Sequence, residues 1–86
     1  MKVKILYKML KALKQLKVAH PSKIANQIRI GKTTAHKYIK VMLKANLVTP
    51  VGTVTLNMGL KSTLYRLTEQ GEETLKILEP IAQNIP

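Results

Sequence analysis

Pro21 to Val48 reads PSKIANQIRIGKTTAHKYIKVMLKANLV, and the rest of the chain is organised around it. His20-Pro21-Ser22 is a helix start, because proline in a first turn loses no hydrogen bond that the helix needs. Ile24, Ala25 and Ile28 recur at helical spacing, which predicts a helix over about 21–28. Ile30-Gly31 makes a turn, with Gly31 either a permissive backbone position or a weak N-cap for a second helix. This second helix is predicted over about 32–45, with Ala35, Ile39, Met42 and Leu43 as its apolar face. Asn46 closes it, since asparagine tolerates the left-handed cap conformation better than most residues. The other faces carry Lys32, Thr33, Thr34, His36, Lys37 and Lys40.

Working outward, residues 2–17 predict a first helix with Leu6, Met9, Leu10, Leu13 and Leu16 on one face and lysines mostly opposite. A basic amphipathic helix of this kind can also lie on a membrane, but a chain this short needs the stripe for its core. Val18-Ala19 can extend as a short strand. After Leu47 the β-branched run VTPVGTVTL alternates as a strand does, with Pro50 and Gly52 marking an irregular start or a bulge. Asn57-Met58-Gly59 is the turn. KSTLYRL returns as a second strand, with Thr63, Tyr65 and Leu67 on one side and Ser62, Leu64 and Arg66 on the other. Thr68 caps a last helix over about 68–84, and Glu69, Glu72 and Glu73 sit near its start, where the helix dipole favours anions. Pro80 either kinks or stops that helix.

Composition bounds the function. Eighty-six residues, 45% apolar, make one small domain with a modest core. The core is aliphatic, since there is no Phe or Trp and only three Tyr. The absence of cysteine removes disulfides and thiolate metal sites. No apolar run is long enough for a signal peptide or a membrane span, so the expectation is a cytoplasmic protein. The net charge is +11, and residues 1–68 hold 14 Lys+Arg and no acid. Residues 69–86 hold all four acids against Lys76. Such a lopsided field attracts a polyanion. With no carboxylate before Glu69, no paired-acid site can form in the body of the chain. There is no phosphate-binding Gly-rich loop either. No nucleophile and base have an orienting acid, and His20 and His36 lack metal-ligand company. The chain reads as a non-enzyme without cofactor or metal.

Ser22, Lys23, Ile24-Ala25, Asn26-Gln27 and Ile28, the turn at 29–31, then Lys32 to Thr34, Ala35, Ile39, Met42 and Asn46-Leu47-Val48 follow a known pattern. With the later run Tyr65-Arg66-Leu67-Thr68-Glu69-Gln70-Gly71, the chain resembles the winged helix-turn-helix DNA-binding domains of prokaryotic transcriptional regulators over about residues 3–78. That resemblance implies an α+β, mainly α fold: a three-helix core, a two- to three-stranded wing over about 47–67, and a C-terminal helix, all in one domain spanning 1–86. The sequence departs from the family where Arg29 replaces the usual Gly, Gly31 the usual Ser or Thr, and Asn46 the usual Gly. The wing tip, Asn57 to Leu60, also lacks the arginine that often enters a minor groove.

The resemblance makes the helix at 32–45 a recognition helix for the major groove of double-stranded DNA. Thr33, His36 and Lys37 are then the candidates for base edges. Ser22, Lys23, Lys32, Thr34, Lys40, Lys61 and Arg66 are the candidates for phosphate. Regulators of this kind usually bind as twofold dimers, and Leu75, Leu78, Ile81, Ala82 and Ile85 form a candidate seam for a homodimer. The expected function is a sequence-specific transcriptional repressor associated with the nucleoid. The alternatives are a non-specific architectural DNA binder and a winged-helix module that binds an acidic protein surface.

Overall fold

Hydrophobic spacing alone separates the helices from the wing, and the computed structural model, which describes residues 1–84, arranges them around one core. The order is α1 (Val3–Leu16), α2 (Pro21–Ile28), α3 (Lys32–Lys44), β1 (Val48–Thr55), a short 3-10 turn (Asn57–Gly59), β2 (Lys61–Leu67) and α4 (Glu69–Gln83). α1 contributes Met9, Leu10 and Leu13, all fully buried, together with Leu6, Tyr7 and Ala12. Leu16, at the end of the stripe, is only half-buried. α2 adds Ile24 and Ala25, and α3 adds Ala35, Tyr38, Ile39 and Met42. Among the described residues the interior is aliphatic and contains no buried polar or charged residue, so burial of apolar surface is its main source of stability.

On α3 the expected apolar face needs one correction. Leu43 is exposed and Tyr38 is buried in its place. Both positions fit the spacing set by Ala35, Ile39 and Met42. The phenol of Tyr38 accepts a hydrogen bond from the backbone N–H of Lys2 at 2.8 Å, which satisfies its polar end while the ring is covered.

Three connections after helices use left-handed backbone. α3 ends with Asn46 at φ 59, while Leu47 N–H donates to Met42 O and Asn46 N–H donates to Leu43 O. This is a Schellman motif with asparagine in the usual glycine position. Lys17, after α1, stands at φ 69, ψ −52, and Val18 N–H donates to Leu16 O across it. The turn after α2 places Arg29 at φ 59, ψ 50, whereas Gly31 has φ −69 and serves as the N-cap of α3. The glycine in this turn therefore stands where an ordinary residue would fit, and the arginine stands where glycine would fit better. Arg29→Gly is expected to stabilise the protein by about 0.5–1 kcal/mol, the Cβ penalty less the extra chain entropy of glycine. Urea unfolding of the two proteins measures it.

β1 and β2 form a two-stranded antiparallel sheet, with Val48 opposite Leu67 and Thr55 opposite Lys61. The register shifts between Pro50 and Gly52, leaving Val51 as the extra residue of a bulge. The expected third strand is reduced to one residue: Ala19 exchanges two backbone hydrogen bonds with Tyr65, at 3.0 and 2.9 Å. The sheet is buried at its base, at Val48 and Leu67, and exposed towards its tip.

The Thr68-to-Gly71 run locks the base of the wing to α3. Thr68 N–H donates to Leu47 O, and its hydroxyl donates to Asn46 O at 2.6 Å while accepting from Gly71 N–H at 2.9 Å. Gln70 reaches Ala45 O at 3.2 Å. Gly71 lies directly against the Leu47 carbonyl, with no room for a Cβ. α4 then runs along α1. Lys14 pairs with Glu72 at 3.0 Å, and Tyr7 OH donates to Glu79 at 3.3 Å. The ion pair is half-exposed and contributes little, so Leu75, Ala82 and the half-buried Leu78 hold the two helices together. Pro80 is carried inside α4 and does not stop it. Its position near the C-terminal end costs the helix a single backbone hydrogen bond.

Candidate nucleic-acid interface

With Ala35, Tyr38, Ile39 and Met42 turned inward, the helical period forces Thr33, His36, Lys37 and Lys40 outward together. All four are exposed, as is Lys32 at the first residue of the helix; Thr34 is half-buried at its edge. Among the described residues the single ion pair is Lys14–Glu72, so the lysines of α3 keep their charge unneutralised by the protein. The acids are held elsewhere. Glu72 and Glu79 face α1, while Glu69 and Glu73 lie near Asn46 at the C-terminal end of α3.

α2 brings its own N-terminus to the same side. His20 is its N-cap, accepting from Lys23 N–H through Nδ1 at 3.4 Å. Its basicity is lowered by burial first, and then by the nearby charges of Lys23 and Lys32. The start of α2, with the half-buried Ser22 and the exposed Lys23, therefore shares an electrostatic environment with the start of α3. The imidazole is held neutral more firmly folded than unfolded. Stability from this group is fully present above its ordinary pKa of 6.5 and is lost as pH falls through the lower folded value. His20→Asn keeps a capping acceptor, and the expected result is a flatter loss of melting temperature below pH 6.5 than in the parent.

Lys61 is exposed at the tip end of β2, opposite Thr55. Arg66 is not brought to α3. It lies with Lys14, Lys17 and Glu72 around a small surface depression, and its guanidinium donates to Leu67 O at 3.1 Å. Two residues outside the expected set join the interface. Lys44 is exposed and continues the row from Lys37 and Lys40, a relation visible in the i, i+4 spacing. Arg29 is exposed in the turn between α2 and α3, and its position in the turn was its only signal.

The candidate seam on α4 divides. Leu75 and Ala82 are buried within the protomer against α1, which corrects their assignment to a surface between copies. Leu78 is half-buried, Ile81 is exposed, and Ile85 lies outside the described residues. Ile77, not anticipated, is exposed on the same outward side as Ile81. No described helix is long and apolar enough to cross a membrane. Among the described residues no group of three or more His, Asp or Glu could hold a metal ion.

Residues 1–85 match the family model described as winged helix-turn-helix. The chain belongs to that family. This winged-helix chain is also similar in fold to MarR-family transcriptional regulators. A cysteine-to-serine mutant of MarR from E. coli superposes with a TM-score of 0.72 at 10% identity, covering 92% of this chain and 56% of that one. The same mutant complexed with operator DNA gives 0.71 at 13% identity, covering 87% and 51%. The adhesin competence repressor AdcR from Streptococcus pyogenes gives 0.65 at 18%, covering 95% and 66%. The winged-helix chain thus spans a little over half the length of the MarR structures it matches. No curated protein sequence matches it.

Proposed function

We propose that this winged-helix protein is a sequence-specific double-stranded DNA binder that regulates transcription, inserting α3 into the major groove and repressing by occlusion. One observation carries the reading: Thr33, His36, Lys37 and Lys40 project together from a helix whose opposite face is buried, with no acid nearby in the chain. Thr33, His36 and Lys37 are placed to meet base edges, with Lys37 able to donate to guanine O6 or N7 and Thr33 to touch a thymine methyl. Lys32, Lys40, Ser22, Lys23, Thr34 and Lys61 are left for phosphate. Arg66, engaged with its own backbone, is the weakest of the phosphate candidates. The operator complex of MarR supports the same mode of use for a similar fold. The protein works in the cytoplasm, on the nucleoid, as a homodimer. Ile77 and Ile81 offer the apolar part of its seam, and a monomer by sedimentation at micromolar concentration would contradict that part.

Selection of bound duplexes from a random pool tests the reading. The expected result is one enriched motif whose base preference is flattened by Lys37→Ala. Lys40→Ala should instead weaken all sequences evenly and lower the salt slope by about 0.9. A non-specific architectural binder is the second reading, favoured by a wing tip that presents no hydrogen-bonding side chain longer than Asn57. Tight binding with no enriched motif would establish it instead.

A further inference from the structure

The wing tip carries apolar side chains that the fold does not use. Met58 is 97% exposed and Leu60 is 66% exposed. Met58 also stands at φ 66, ψ 24, and Gly59 follows at φ 75. Asparagine or glycine fits that backbone region with less strain than methionine. An apolar side chain held there, in return for no packing, points to use outside the protomer.

The surroundings say what kind of partner fits. The nearest charged residue in sequence is Lys61, and no acid occurs before Glu69. An apolar tip on a cationic arm matches a polyanion with an apolar interior, which describes base pairs stacked behind phosphates. Reach agrees with this. β1 has eight residues, which extend the tip roughly 24 Å from the buried base at about 3.3 Å per residue. The minor groove beside a major-groove helix lies about half a helical turn away, roughly 17 Å.

We propose that Met58 and Leu60 form a wedge that enters the minor groove flanking the α3 site, partly unstacks one base step and bends the duplex. The proposal rests on the DNA-binding reading above. It replaces the missing wing arginine with a different mode of contact, in which deformability of the flanking step is read in place of a hydrogen-bond pattern. Pyrimidine–purine steps unstack most easily, so selected sites should favour TA or CA at that flank.

The test places 2-aminopurine in turn at each flanking position of a selected duplex and measures its fluorescence, with end-to-end energy transfer reporting the bend. The parent protein should raise fluorescence several-fold at one step and shorten the end-to-end distance. Met58→Asn, alone and with Leu60→Ser, should abolish both signals while the α3 base preference persists. Asparagine suits the backbone at position 58, so an unchanged or higher melting temperature is expected and misfolding is separated from loss of the wedge. Binding by the parent without unstacking or bending would overturn the proposal, as would signals that survive in Met58→Asn/Leu60→Ser. Failure of the parent to bind any duplex would instead overturn the DNA-binding reading, and the wedge with it.

Discussion

Gly71→Ala is expected to destabilise the protein by about 3 kcal/mol, the upper part of the range for forcing a methyl group into a filled site. The added Cβ would collide with the backbone carbonyl of Leu47, and the Leu67 side chain closes the same space. A backbone atom cannot swing aside as the end of a flexible side chain can. The only relief is to lift α4 from the end of α3, and that strains the bonds from Thr68 to Asn46 and from Gln70 to Ala45. Gly52→Ala is the control. Nothing lies within 4 Å of its Cβ position, so the change should stay within about 0.5 kcal/mol of neutral, as for an open surface site. Chemical denaturation of the pair measures both, and equal effects would contradict the packing described at the wing base.

The second large effect is on binding. Replacing Lys32, Lys37 and Lys40 together with alanine should lower affinity at about 0.1 M salt by two to three orders of magnitude, and reduce the log–log salt slope by about 2.7, from roughly 0.9 per lost phosphate-type contact. Thermal stability should barely move. All three side chains are exposed and outside the core, and alanine is the better helix former. A charge-matched control, Lys4, Lys8 and Lys11 on α1, tests whether position matters or only net charge. An equal loss from the α1 set would show that the protein binds through its overall field and not through α3.

α2 and α3 could be read from the chain because their ends are marked by local chemistry. Pro21 starts one helix, and Asn46 closes the other in the left-handed conformation expected of it. The outward row of α3 followed for the same reason: once Ala35, Ile39 and Met42 are assigned to the core, the period places Thr33, His36, Lys37 and Lys40 opposite. Long-range partners decided what the pattern could not. Leu43 and Tyr38 both fit the spacing, and the Lys2 amide, 36 residues away, supplied the partner that let the tyrosine be buried.

α4 posed a similar choice between two interleaved apolar rows. Leu75, Leu78 and Ala82 form one, and Ile77 with Ile81 the other. The close approach of Gly71 to Leu47 sets the rotation of the helix and sends the first row inward. Arg66 sat at a correct alternating position, yet its guanidinium turned back to the Leu67 carbonyl. The left-handed methionine at the wing tip was invisible in sequence, because side-chain preferences argue against it.

Whether α3 reads base sequence is decided by the affinity of the parent protein for a selected duplex and a shuffled duplex across a salt series. A steep salt dependence is expected for both, with the selected duplex bound about 10³-fold or more tightly at the same salt. Equal affinity for the two at every salt concentration would contradict base reading by α3.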